Sequence, residues 1–316
     1  MAGEKLAQRS YYGKALAKLA ETNPDVVVLD ADLAGSTKTG DFQKVCPERF
    51  IECGIAEANM VGVAAGLATS GKIPFASTFG VFASGRCWEQ IRMAVAYPRL
   101  NVKIVATHCG LSVGPDGATH QALEDIAITR ALPNMTVIVP CDAHEAYAAT
   151  LAIADYDGPV YMRMGRSSFP VLKEEGCTFT IGKADVLREG SDISIIACGQ
   201  MVQSCMVAAE QLASEGISAE VVNMATVKPL DRDAVLATAK KTGAVVTVEE
   251  HSIIGGLGSV VCECLSEEYP VPVLRVGTKD TFGESGEAEE LLEKYGLGVK
   301  DIVAAVKNMI QIKKER

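Results

Sequence analysis

Short apolar runs alternate along the chain with longer stretches in which Leu, Ala and Ile recur at helical spacing. Val26-Val-Val-Leu29, bounded by Asn23-Pro24 and Asp30, is unbroken by polar residues, as a strand buried on both faces requires. The same reading predicts strands near 50–53, 74–78, 102–106, 136–139 and 159–163. Helices are predicted over 5–21, from Glu57 onward, and near 83–96, 122–131 and 142–154. From Ser167 to Glu189 the pattern weakens into Pro170, Lys173-Glu-Glu-Gly176 and a short Thr178-Phe-Thr-Ile181 strand. It then resumes, with strands at 193–197, 219–222, 245–248 and 273–276 and helices at 201–215, 232–241, 256–266, 286–295 and 299–311. Strands that alternate with helices imply parallel sheets covered on both faces. The predicted fold is α/β: two doubly wound, mainly parallel-sheet domains at 1–168 and 191–316, joined by a linker at 169–190.

One segment departs from an ordinary amphipathic pattern. Within Phe50–Ala68 the carboxylate of Glu57 opens a helix of apolar and small residues, and the next charged residue after it is Lys72. Such a helix is expected to bury most of its circumference. Gly62, Ala64, Ala65, Gly66 and Ala68 would let a second backbone approach closely, in a core or a subunit contact. Glu57 is then either a helix-start acid favoured by the macrodipole or a functional acid held in a dry site.

Composition narrows the classes. The 316 residues are 48% hydrophobic and 22% charged, an ordinary globular balance long enough for about two domains. The net charge of -10 argues against nucleic acid and against an anionic membrane as partner. It leaves room for phosphorylated small molecules, which need only a few placed cations. With no apolar leader and no run long enough to span a bilayer, the expectation is a cytoplasmic chain with no membrane association. The ten cysteines lack Cys-x-x-Cys spacing, so reduced, buried thiols are expected and no metal site.

Candidate chemistry gathers after predicted strands. Asp30-Ala-Asp32-Leu-Ala-Gly35-Ser36 follows one strand, and the Gly-rich loop from Thr107 to Gln121, with His108, Asp116 and His120, follows another. Gly165-Arg166-Ser167 ends a third and offers donors suited to an oxyanion. His144 and His251 read as structural. Gly255-Gly-Leu-Gly258 does not match a dinucleotide fingerprint.

Taken in order, these segments resemble the transketolase family of thiamine-diphosphate enzymes. The matching pieces are Arg9, Asp30-Ala-Asp32-Leu-Ala-Gly-Ser36, Arg49-Phe-Ile-Glu-Cys-Gly-Ile-Ala-Glu57-Ala-Asn-Met60, Ser77-Thr-Phe79-Gly-Val-Phe82, and His108 with Gly114-Pro-Asp116-Gly-Ala-Thr-His120-Gln. Leu132-Pro-Asn-Met135, Arg166, Val227-Lys-Pro-Leu-Asp231 and Val248-Glu-Glu-His251 continue the match. The resemblance implies a pyrimidine-binding domain followed by a transketolase C-terminal domain. The Gly-Asp-Gly signature of the family's magnesium and diphosphate half does not occur, so the chain resembles the C-terminal subunit of a split transketolase. Mg2+ and the diphosphate end would sit on an N-terminal partner subunit, with this chain homodimerising within an alpha2beta2 assembly.

By the same resemblance Glu57 would hydrogen-bond the cofactor's pyrimidine nitrogen, its apolar surroundings raising its pKa so that it shares a proton with the ring. Phe79 and Phe82 would pack on that ring, and Asp32 would lie beside the cofactor. Arg9, Ser36, His108 and Arg166 would grip the phosphate of a sugar phosphate, and Asp116 and His120 its hydroxyls; His108 and His120 would join Glu57 in catalysis. One departure stands out: Gly85 occupies the place of a third aromatic wall. A 1-deoxyxylulose-5-phosphate synthase, a 2-oxo acid dehydrogenase beta subunit and a non-catalytic homologue are the alternatives.

Overall fold

The computed structural model describes residues 4–315. The first eight strands are β1 Lys5–Ala7, β2 Val26–Asp30, β3 Phe50–Glu52, β4 Ile73–Phe79, β5 Lys103–Thr107, β6 Thr136–Ile138, β7 Val160–Arg163 and β8 Ser168–Pro170. The remaining six are β9 Asp185–Arg188, β10 Ile193–Ala197, β11 Ala219–Asn223, β12 Thr226–Lys228, β13 Val245–Ser252 and β14 Val273–Thr278.

Two parallel-dominated sheets result. The larger runs β12-β6-β7-β5-β4-β2-β3 and the smaller β14-β13-β10-β11-β9, with β1 and β8 forming a separate antiparallel pair. All five residues of β2, β5 and β10 are buried, as strands covered on both faces must be. β12 crosses from the second half of the chain to pair antiparallel with β6, Thr226 opposite Ile138. One hydrophobic core likewise joins Leu29, Ile104 and Val137 to Ile196, Val222 and Leu257, so the two sheets share an apolar interior.

Helix Gln8–Thr22 packs Tyr12, Leu16 and Leu19 on one face of the larger sheet, in one core with Ala146, Ala149 and Ile153 of helix Ala143–Asp155. Asp142 caps the latter: its side chain accepts from Glu145 N at 2.8 Å and from Leu172 N and Lys173 N at 2.7 Å. The linker is thereby tied to the first sheet.

Several local expectations need correction. Residues 5–7 form β1, and the first helix starts only at Gln8. No strand forms at Thr178–Ile181; Phe179 and Ile181 pack on the core as extended chain without a partner strand. The helix expected at 83–96 is two π-helical turns, Val81–Arg86 and Ile91–Ala96, around a short α-helix. Helix Glu57–Thr69 buries less of its circumference than its composition suggests: Met60, Val61, Ala64 and Ala65 face the core, while Asn59, Gly62, Gly66 and Thr69 are exposed. Each cysteine is free, buried or half-buried. Among the described residues no helix is long and apolar enough to cross a membrane.

Candidate active site at the carboxyl ends of the first sheet

Parallel strands deliver their carboxyl ends to one edge, where open α/β sheets hold ligands. β2 ends at Asp30, which is fully buried and pins the turn that follows. Its carboxylate accepts from Leu33 N at 2.6 Å and from the Thr37 and Thr39 hydroxyls at 2.7 and 2.8 Å. Burial pushes Asp30 up to about 6, an effect those hydrogen bonds oppose. The turn presents Asp32, exposed and at φ 60, with its backbone N–H on Glu52 Oε1 at 2.8 Å. It also presents Ser36, whose carbonyl accepts from Arg9 Nη1 at 2.8 Å. Arg9 Nε is buried and has no hydrogen-bond partner among the described residues. Burial, then the nearby Arg166, lower the Arg9 pKa.

β5 delivers His108 in the left-handed region at φ 57, 3% exposed. Its Nδ1 shares a 2.9 Å hydrogen bond with the Thr107 hydroxyl. Its pKa is pushed down to about 3, chiefly by burial and then by the neighbouring Arg9, Arg166 and His120, so the imidazole is neutral. β7 runs on to Gly165 and Arg166. The Arg166 guanidinium donates to Val113 O at 2.7 Å and lies 3.9 Å from the half-exposed Asp116 carboxylate.

The loop after β5 is fixed from the second domain. Ser112 N donates to Glu250 Oε1 at 2.6 Å, and Gln200 Nε2 bonds both Ser112 Oγ and Glu250 Oε2. Gln121 Nε2 donates to Leu111 O and Glu284 O at 3.2 and 2.9 Å. Behind them Arg163, paired with the fully buried Asp125 at 2.8 Å, donates to Glu250 O at 2.8 Å. Burial pushes Glu250 up to about 7, against the opposing influence of Arg163 and Ser112.

β4 ends at Phe79, and the rings of Phe79 and Phe82 stack with centroids 6.1 Å apart. The His120 ring meets both edge-on, at 6.2 and 5.4 Å, and its Nδ1 is 2.8 Å from the Thr119 hydroxyl. Glu57 is 2% exposed at the first position of its helix, whose start carries no side-chain cap. Its Oε1 accepts from Arg86 Nη1 at 2.7 Å. The carboxyl isolated among apolar groups is therefore corrected to an ion pair. Arg86 also lies over the Phe82 ring, 4.5 Å from its centroid.

Two groups of predicted residues thus form. Arg9, Ser36, His108, Asp116 and Arg166 make a cationic, partly buried cluster, and Phe79, Phe82 and His120 make an aromatic one that contacts it through His108. Glu57 joins through Arg86. Asp32 stands at the rim, its carboxylate unbonded among the described residues. Gly85 is exposed, and a Cβ there would meet nothing within 4 Å. His144 and His251 bond backbone carbonyls. Sequence reasoning gave no role to Arg86, Asp30, Gln200 or Glu250; the adjacent acids of Glu249-Glu250 at a predicted strand end were the available signal for the last. The donor set suits an aromatic, nitrogen-bearing ring beside Glu57 and an anion between the arginines. Among the described residues no group of three or more His, Cys, Asp or Glu side chains is placed to hold a metal.

This fold is that of a subunit of the thiamine-diphosphate transketolase class. Residues 4–171 match the family model of the transketolase pyrimidine binding domain, and residues 182–302 that of the transketolase C-terminal domain. The chain belongs to the transketolase family. It is 51% identical, over 100% of its own length and 99% of the relative's, to a protein of Methanocaldococcus jannaschii named as a transketolase C-terminal section. It is 48% identical over 98% of its length to a 6-deoxy-6-sulfo-D-fructose transketolase subunit of a Clostridium species, covering 96% of that subunit. A solved split-gene transketolase, described as an inactive beta4 tetramer, superposes with a TM-score of 0.92 at 55% identity, covering 98% of this chain and 99% of that one.

Proposed function

We propose that this chain is the C-terminal subunit of a split transketolase, moving a two-carbon ketol unit from a ketose phosphate to an aldose phosphate in the cytoplasm. Thiamine diphosphate, when bound, supplies the acidic carbon that carries the two-carbon unit. Its diphosphate and Mg2+ would be held by an N-terminal partner subunit within an alpha2beta2 assembly. The observation that carries the reading is a buried carboxylate, Glu57, linked through Arg86 to Phe82, which stacks with Phe79, whose ring in turn meets the neutral imidazole of His108.

Glu57 would hydrogen-bond a ring nitrogen of the cofactor through its carboxylate, with Phe79 and Phe82 fixing the ring's plane. Asp32 would border the cofactor from the rim. Arg9 and Arg166, with Ser36, would bind the terminal anion of the sugar, Arg9 Nε being a donor unpartnered among the described residues. His108 stays neutral between them, so its imidazole would donate or accept a proton at a substrate oxygen, in concert with His120. Asp116, turned toward Arg166 across the loop, would orient sugar hydroxyls. The split-gene relative is inactive as a tetramer of its own chain, in line with a missing half.

The relative named for a sulfonated ketose is 48% identical to this chain, and a sulfonate and a phosphate are both tetrahedral anions. Phosphate is the anion proposed here. The test is turnover of xylulose 5-phosphate with ribose 5-phosphate by the chain alone and with its partner added. Activity only in the mixture supports the reading, and robust activity of the chain alone sinks it.

A further inference from the structure

The place of a third aromatic wall is taken by Gly85, which has no side chain and is exposed, and the next residue fills the gap. The turn Val81–Arg86 is π-helical, and residues 82 and 86, four apart, are neighbours on its surface. The Arg86 guanidinium accordingly sits 4.5 Å from the Phe82 centroid, a planar cation on a ring face. Phe79 also stacks with Phe82, its plane inclined by 16°. From that position Arg86 Nη1 reaches Glu57 Oε1 at 2.7 Å. The second carboxylate oxygen takes no hydrogen bond among the described residues, so one oxygen is held and the other is left for a ligand. The two partners differ in exposure: the Glu57 side chain is 3% exposed and that of Arg86 49%. A carboxylate so enclosed needs a partner, and a half-exposed arginine can supply one while keeping the cost of its own desolvation small.

We propose that Arg86 is the positioning residue of the pyrimidine pocket, holding Oε1 of Glu57 and closing the Phe82 side so that only Oε2 meets the cofactor's ring. The proposal rests on the reading of Glu57 as the acid facing that ring. It explains how the pocket tolerates Gly85: an aromatic wall at 85 is replaced by a guanidinium wall from 86. It also predicts that the charge and reach of residue 86 matter more than its bulk.

The test uses the chain assembled with its partner subunit and compares Arg86→Leu, Arg86→Lys and Glu57→Gln. Two readouts are taken: the dissociation constant for thiamine diphosphate by calorimetry, and the rate of C2 deuterium exchange on the bound cofactor. Arg86→Leu is expected to weaken binding about 10-fold and to slow exchange by at least as much, as the loss of one charged hydrogen bond allows. Arg86→Lys is expected to recover much of both, which a purely structural role would not produce. Tighter binding by Arg86→Leu would overturn the proposal by making Arg86 an occupant the cofactor must displace. Unchanged binding and exchange would overturn it by making Arg86 a bystander. If Glu57→Gln also leaves exchange unchanged, the failure lies with the reading of Glu57; if Glu57→Gln abolishes exchange and the Arg86 variants do nothing, it lies with Arg86 alone.

Discussion

The His108 imidazole lies flat against the Phe79 ring, centroids 3.9 Å apart and planes inclined by 25°. This contact makes the aromatic and cationic clusters one site, because the ring that would hold the cofactor also holds the imidazole that would meet the substrate. It also keeps the imidazole buried beside Arg9 and Arg166, which is why its pKa falls from 6.5 to about 3.

That depression has a sign that can be checked. Between pH 6.5 and about 3 the unfolded chain binds a proton that the folded His108 refuses, so its share of stability is lost as pH falls below 6.5. His108→Asn, which does not titrate, is expected to lose less melting temperature than wild type between about pH 7 and about pH 5. Scanning calorimetry at the two pH values measures it, and an equal loss in both proteins would contradict the assignment.

Glu250 should behave oppositely. Its folded pKa, about 7, lies above its ordinary 4.5, so the stability it contributes is full below 4.5 and lost as pH rises through about 7. Glu250→Gln keeps an acceptor for Ser112 N and removes the titration. Its melting temperature is expected to change less than that of wild type across this window, and its KM for the sugar to rise while cofactor affinity holds, since Ser112 anchors the substrate loop. Denaturation across pH and steady-state kinetics of the assembled enzyme test both parts.

Arg166→Ala removes a guanidinium from the anion cluster but also the bond to Val113 O. The expected result is a KM for phosphorylated donors raised about 10- to 100-fold, in keeping with the loss of charged hydrogen bonds. Unphosphorylated ketoses should be affected far less. Equal losses for both substrate classes would take Arg166 out of the phosphate site.

Much of this was legible in the sequence, for physical reasons. β2, β5 and β10 are short and mostly apolar, Val26–Leu29 without a break, so burial on both faces and a parallel sheet followed directly. Residues at strand ends, such as His108 and Arg166, were findable because parallel strands send their carboxyl ends to one edge. β12 was not legible: Thr226–Lys228 is too short to show periodicity and pairs with a strand nearly ninety residues earlier. Nor was the Glu57–Arg86 ion pair, which joins residues 29 positions apart in the chain. The exposed stripe on helix Glu57–Thr69 was hidden too, because Gly and Ala suit a core and an interface equally.

That stripe makes its own prediction. Ile55 is 78% exposed, and a Cβ at Gly62 or Gly66 would meet nothing within 4 Å. Gly62→Leu should therefore leave the isolated subunit folded, with unchanged circular dichroism, and disrupt its assembly by filling the stripe. Sedimentation velocity should show smaller species; an unaltered assembly would place the subunit contact elsewhere.

The central claim is that Glu57 is the acid this chain contributes to the cofactor. The most direct measurement is C2 deuterium exchange of thiamine diphosphate bound to the assembled enzyme, wild type against Glu57→Ala. Loss of exchange by about 100-fold or more, with melting behaviour and assembly retained, is the predicted result. Exchange at the wild-type rate in Glu57→Ala would contradict it.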